Sequence, residues 1–220
     1  KKGAPEFGDP VRLDLNADWV KGNEYFHMAR FHDIDGDGVP ELIVGSDYWN
    51  DYWPNGLEWN DEGYRGYDDA GRWLGGPLRG FLYAFKNKGS LAAPVLEKGH
   101  ALVAGETPLE VYGQLAPAFG KFGTKQQHVI AGEFWNILHI ARQREDGTFE
   151  PTSLIRDVDD KVLELQQCIH LPCVVDWDGD GREDIVYGAE DGYISFLKNV
   201  GDGEDGLPRP LLGRARFDPR

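Results

Sequence analysis

Cysteine is almost missing from this chain of 220 residues: only Cys168 and Cys173 occur. That excludes a disulfide framework as the source of stability. Both lie in apolar sequence and read as buried thiols. Five positions apart on one strand, they would point to opposite faces. Positive charge is also short, with 23 Lys and Arg against 38 Asp and Glu and a formal net charge of −15. Nucleic acid and anionic membrane surfaces are therefore not expected as partners. No apolar run approaches the ~18 residues a membrane-spanning helix needs, so no membrane insertion is expected. The opening KKGAPEFG carries neither an initiator Met nor a signal peptide. The expectation is that processing or trimming has removed the true start.

Long helical patterns are scarce, whereas glycine (29) and proline (13) are plentiful. Hydrophobic residues at 40 % and aromatics at 12 % suffice for a sizeable core. This balance predicts an all-β protein of short strands and many turns.

One stretch departs from an ordinary acidic turn. FHDIDGDGVPELIVGSD (31–47) sets Asp33, Asp35 and Asp37 at alternate positions, threads glycines between them, and adds Glu41 before an apolar run. VVDWDGDGREDIVYGAED (174–191) repeats it with Asp176, Asp178, Asp180 and Asp184. Oxygen ligands at positions 1, 3 and 5, a glycine for the sharp turn and a later carboxylate suit Ca²⁺, which takes six to eight hard oxygen ligands. A main-chain carbonyl near Val39 or Arg182 is expected at position 7. An EF-hand would place its last acid at position 12 between helices. Here it stands at position 9 before a β-branched run. Two Ca²⁺ sites are expected.

The motif D-x-D-G-D-G-x-x-[DE]-hydrophobic-G resembles the FG-GAP/VCBS repeat family, found in integrin α-subunit propellers and bacterial surface proteins. GFLYAFKNKGSLAAPVLEKG (80–99) and GYISFLKNVGDGEDGLPRPLLG (192–213) look like the later strands of such units. The segment LAPAFGKFGTKQQHVIAGEFWNILHIARQREDGTFEP (115–151) resembles a worn copy, with Lys121 and Thr124 where acids would be needed. That copy is expected to bind no calcium and to satisfy its loop otherwise.

Four-stranded units repeated in sequence are blades of a β-propeller. About three are expected in one region, 1–220: blades over 25–102, 112–151 and 167–213, with 1–13 as the last strand of a preceding one. The first blade's strands are expected at 25–32, 41–46, 80–86 and 94–102. Three blades cannot close a ring, so further blades or another chain are expected to complete it. The resemblance also implies a structural role for calcium, ligand contact on the opposite face, and an extracellular, periplasmic or cell-surface location.

Function is sought in two places. The connection 46–79 exceeds thirty residues, where most loops run ~4–6, and it holds four of the seven tryptophans. Trp49, Trp53, Trp59, Tyr64, Tyr67 and Trp73, interleaved with Asp, Asn and Glu, suit a glycan or protein ligand. The alternative is a self-packed loop covering the blade edge. Innermost strands at 23–32, 109–117 and 163–172 would bring Tyr25, His27, Tyr112, Gln114, Gln167 and His170 towards one channel. Histidine with tyrosine can carry proton transfer, so His27, His170, Tyr25 and Tyr112 are catalytic candidates for a polysaccharide lyase. Three readings follow: a calcium-stabilised binding module, a lyase, or a purely structural segment. The first is preferred.

Overall fold

In the computed structural model the residues described are 8–10, 15, 24–113, 116–166 and 168–213, without the side chains of 24–27 and 211–213. Among the described residues fifteen strands follow one another: β1 (Glu24–His32), β2 (Glu41–Tyr48), β3 (Arg79–Phe85), β4 (His100–Ala101), β5 (Val103–Ala104), β6 (Thr107–Pro108), β7 (Glu110–Tyr112), β8 (Ala116–Gly120), β9 (His128–Gly132), β10 (Leu138–Arg142), β11 (Ser153–Leu154), β12 (Leu171–Val175), β13 (Asp184–Gly188), β14 (Ile194–Asp202) and β15 (Pro208–Gly213). The protein is all-β, and no α-helix occurs among the described residues.

Three antiparallel sheets carry the structure, in the orders β1-β2-β3-β4, β8-β9-β10-β11 and β12-β13-β14-β15; none is closed. Strands adjacent in sequence pair because short antiparallel connections permit it. Their registers make the sheets comparable residue by residue. His32 faces Glu41, Gly120 faces His128, and Val175 faces Asp184. Glu41, His128 and Asp184 thus hold the same place, each opening a second strand, and all three are buried.

The second strands are apolar on both faces. ELIVGSD and HVIAG are buried along their length, as expected of strands covered on two sides. One face of the second sheet (Val129, Ala131, Ala141) packs on Ile43, Leu82 and Ala84 of the first. Its other face (Ile130, Leu138, Ile140) packs on Ile185, Tyr187 and Leu197 of the third. The far face of the first sheet (Leu42, Val44, Tyr83, Phe85) is closed by Leu15 and Leu96 among others.

Three expectations need correction. The segment around Tyr112 is not the innermost strand of the second sheet; β7 pairs with the outer edge of β3, Tyr112 opposite Arg79, and Arg79 grips Glu110 at 2.9 Å. The strand expected over 94–102 shortens to His100–Ala101; before it the pairing continues only as an isolated bridge between Leu96 and Asn87, and β7 occupies the other end of the β3 edge. The cysteines are free but not buried: Cys173 is exposed on β12 and Cys168 is half-exposed before it.

Ile130 is fully buried between the second and third sheets. Ile130→Ala should cost about 2–5 kcal/mol, the range for a large-to-small change in a packed core. Chemical denaturation checks this, and a loss below about 1 kcal/mol would contradict the packing described.

Candidate functional site

Both acidic loops link a first to a second strand, and their internal bonding is the same atom for atom. Asp33 accepts the N–H groups of Gly36 (2.8 Å) and Gly38 (3.0 Å); Asp176 accepts those of Gly179 (2.9 Å) and Gly181 (3.0 Å). Asp35 accepts from Asp37 and Asp178 from Asp180, each at 3.2 Å. Asp37 accepts from Val39 and Asp180 from Arg182. The buried last acids close the loops, Glu41 accepting Ile34 N–H at 3.1 Å and Asp184 accepting Trp177 N–H at 3.0 Å. Gly36 and Gly38 sit at φ 77° and 87°, their counterparts Gly179 and Gly181 at 76° and 87°. Side chains are strained in that region, so the turn selects glycine.

The folded turns crowd the carboxylates. Oxygens of Asp33, Asp35 and Asp37 lie within 4.8 Å of one another, as do those of Asp176, Asp178 and Asp184. Such crowding is relieved by a nearby positive charge. Each loop has one from its own sheet, Lys86 directly after β3 and Lys198 on β14: Lys86 contacts Asp35, Asp37 (2.6 Å) and Glu41 (3.2 Å), and Lys198 contacts Asp178 and Asp180 (2.9 Å). Hydrogen bonds to Asp35 and to Asp178, respectively, raise the two ammonium pKa values. Reciprocally, Lys86 lowers the carboxyl of Asp37 and Lys198 that of Asp180. Glu41 Oε1 is buried and has no well-aligned hydrogen bond, although Lys86 is 3.2 Å away; proximity without alignment neutralises charge but leaves a lone pair available.

The worn loop has no acids of its own and borrows one. Glu183, in the acidic loop just before β13, accepts the N–H groups of Lys121 (2.6 Å) and Phe122 (2.5 Å), and Thr124 Oγ1 donates to the carbonyl of Lys121 at 2.8 Å. Where Glu41 and Asp184 stand in the other sheets, His128 is buried, with Arg142 donating to its Nε2 at 3.3 Å. Burial first, then Arg142, lowers the His128 pKa.

At the other end of the sheets lies the connection 46–79. It folds back on itself: Gly76 N–H donates to Asp51 O at 2.8 Å, and a side chain on Gly75 would overlap the carbonyl of Tyr52. Trp49 stacks on Trp53 with centroids 5.6 Å apart, Tyr52 packs on Trp73 at 4.9 Å, and Tyr64 meets Trp53 edge-on. Trp59 and Tyr67 remain exposed. Most of the predicted ligand aromatics therefore support one another.

Tyr112 stacks on Trp135, whose ring is exposed, in the corresponding connection of the second sheet. His170 turns Nδ1 towards Trp135 O (3.1 Å) and Nε2 towards Gln166 O (3.3 Å), and burial lowers its pKa. Trp135 thus joins Tyr112 to His170. Sequence reasoning missed Trp135, Lys86 and Lys198. The signals were GEFWN (132–136) against GSDYWN (45–50), and FKNKG against FLKNVG. The side chains of Tyr25 and His27, and residues Gln114 and Gln167, lie outside the described residues. Compared with known proteins, the chain matches no family model, no curated sequence and no solved structure.

The lowered carboxyls of Asp37 and Asp180 set a sign. Their contribution to stability is present above the unfolded carboxyl value of about 3.9 and is lost as pH falls through the lower folded value. In metal-free protein, Lys86→Met should move the Asp37 titration upward, read by carboxyl NMR, and leave Asp180 in place. An unchanged Asp37 would contradict the pairing.

Proposed function

We propose that this protein is a calcium-stabilised binding module, built as an open set of propeller-type blades, that recognises a glycan through its aromatic end. The carrying observation is the doubled loop: two sites of oxygen donors only, with the same main-chain bonding and clustered carboxylates. Hard oxygen donors suit Ca²⁺. Asp33, Asp35, Asp37 and Glu41 would hold one ion, and Asp176, Asp178, Asp180 and Asp184 the other, with the carbonyls of Val39 and Arg182 completing the sets. Calcium here supplies charge neutralisation and a fixed turn. The likeness of the motif to FG-GAP/VCBS repeats supports this reading and a place outside the cell.

Glycan recognition rests on Trp59, Tyr67 and Trp135, exposed around a part-buried aromatic stack. Rigid rings on a packed base stack on sugar faces at little entropic cost, and neighbouring carboxylates and amides accept from hydroxyls. Binding is favoured over lyase chemistry by His170. The ring is buried and turns both nitrogens to main-chain carbonyls, which keeps them out of reach of a substrate.

Calorimetry should find two calcium ions per chain. Chelation should lower the melting temperature, since an ion bound only to the native state stabilises by mass action, and Asp35→Ala with Asp178→Ala should remove that response. A stoichiometry of zero would sink the calcium reading. Separately, soluble polysaccharides should quench tryptophan fluorescence, and Trp59→Ala or Trp135→Ala should weaken binding by several-fold to about tenfold. No quenching across neutral and acidic polysaccharides would remove the glycan while leaving calcium standing.

A further inference from the structure

The registers allow the outward face of the third sheet to be compared with faces that are already covered. On second strands Ile43, Ile130 and Val186 are equivalent; on third strands Ala84, Ile140 and Phe196 are, followed by Leu82, Leu138 and Ile194. In the first two sheets these positions are sealed by the next sheet: Ile43 and Ile130 are 0 % exposed, Leu82 0 % and Leu138 1 %. In the third sheet Val186 and Phe196 are half-buried and Ile194 is 43 % exposed. The first strands agree. Ala116 and Ala118 are buried, whereas their counterparts Leu171 (37 %) and Cys173 are exposed.

We propose that this face, Leu171, Cys173, Val186, Ile194 and Phe196, is the docking surface for the same face of a second copy of the chain. The proposal stands on the sheet registers, not on the calcium or glycan reading. Continuity with the two sheet-on-sheet interfaces inside the chain argues for another sheet as the occupant. Apolar residues at positions built for face-to-face packing match what a sandwich core needs. Head-to-tail addition is closed off, because the complementary face of the first sheet already packs under Leu15 and Leu96. Between two copies of the chain, the arrangement that remains is self-complementary, with a two-fold axis. An axis across the strands also sets the two Asp176–Asp184 loops at opposite ends of the interface, which keeps two strongly acidic chains from placing like charges together.

Cys173 sits within the face and reports on it, while Cys168 lies outside β12. The test is sedimentation velocity over a wide concentration range, with a short bismaleimide that adds across one thiol from each chain. The expected result is a dimer, cross-linked in wild type and Cys168→Ser but not in Cys173→Ser. Ile194→Glu should weaken the dimer by about tenfold or more, and Leu91→Glu, at an exposed site elsewhere, should leave it intact. If Ile194→Glu fails to fold, as circular dichroism would show, the Cys173 cross-link decides. A monomer at every concentration, or a dimer indifferent to Ile194→Glu and not linked through Cys173, would overturn the proposal.

Discussion

A sheet that is apolar on both faces cannot stand alone in water, and the architecture follows from that constraint. The second strands ELIVG and HVIAG offer no polar side to solvent. Each must be covered twice, at roughly 25 cal/mol for every Å² of apolar surface removed from water. The second sheet achieves this between its two neighbours. The third does so on one side, and the exposure of Ile194 and Cys173 is the unfilled half of the same rule.

Packing of this kind leaves polar chemistry to the ends of the strands. At one end, a tight glycine turn points main-chain N–H groups inward, and aspartates accept them. Satisfying the backbone thereby concentrates negative charge, which then requires cations. Lys86, just past β3, and Lys198 on β14 meet part of that need, at places where Arg142 serves the second sheet. Their contacts with Asp35, Asp37, Asp178 and Asp180 are exposed enough to be screened by salt. At the other end, the long connection is held mainly by packed aromatics instead of strand pairing, and Trp59 and Tyr67 are its exposed rings.

The first two strands of the first sheet and the second strand of the third were legible because their pattern is local, an acidic turn and then an apolar run; the third sheet's first strand, expected over 163–172, instead spans Leu171–Val175. The all-β class followed from the same turns. Tyr112 was misplaced because LEVYG looks like a first strand, and only the three-dimensional course of β3 reveals a free edge that captures it. The cysteines were read as buried from their apolar neighbours; burial depends on a covering sheet that sequence pattern cannot supply. Lys86 escaped notice for a similar reason, being 51 residues from Asp35 along the chain. The aromatic connection was recognised as unusual, yet which rings pack and which stay exposed depends on how the loop folds back through Gly75 and Gly76.

The central claim is that the doubled acidic loop is a cation cage. Trp177 stands inside the second loop between Asp176 and Asp178, whereas the first loop has Ile34 there. Terbium, which takes oxygen ligands as calcium does, emits when a nearby tryptophan transfers energy to it. Excitation of tryptophan should therefore give saturable terbium emission that calcium displaces, that Trp177→Phe largely removes, and that Asp178→Ala abolishes. Emission that is absent, or that neither calcium nor Asp178→Ala diminishes, would contradict the cage.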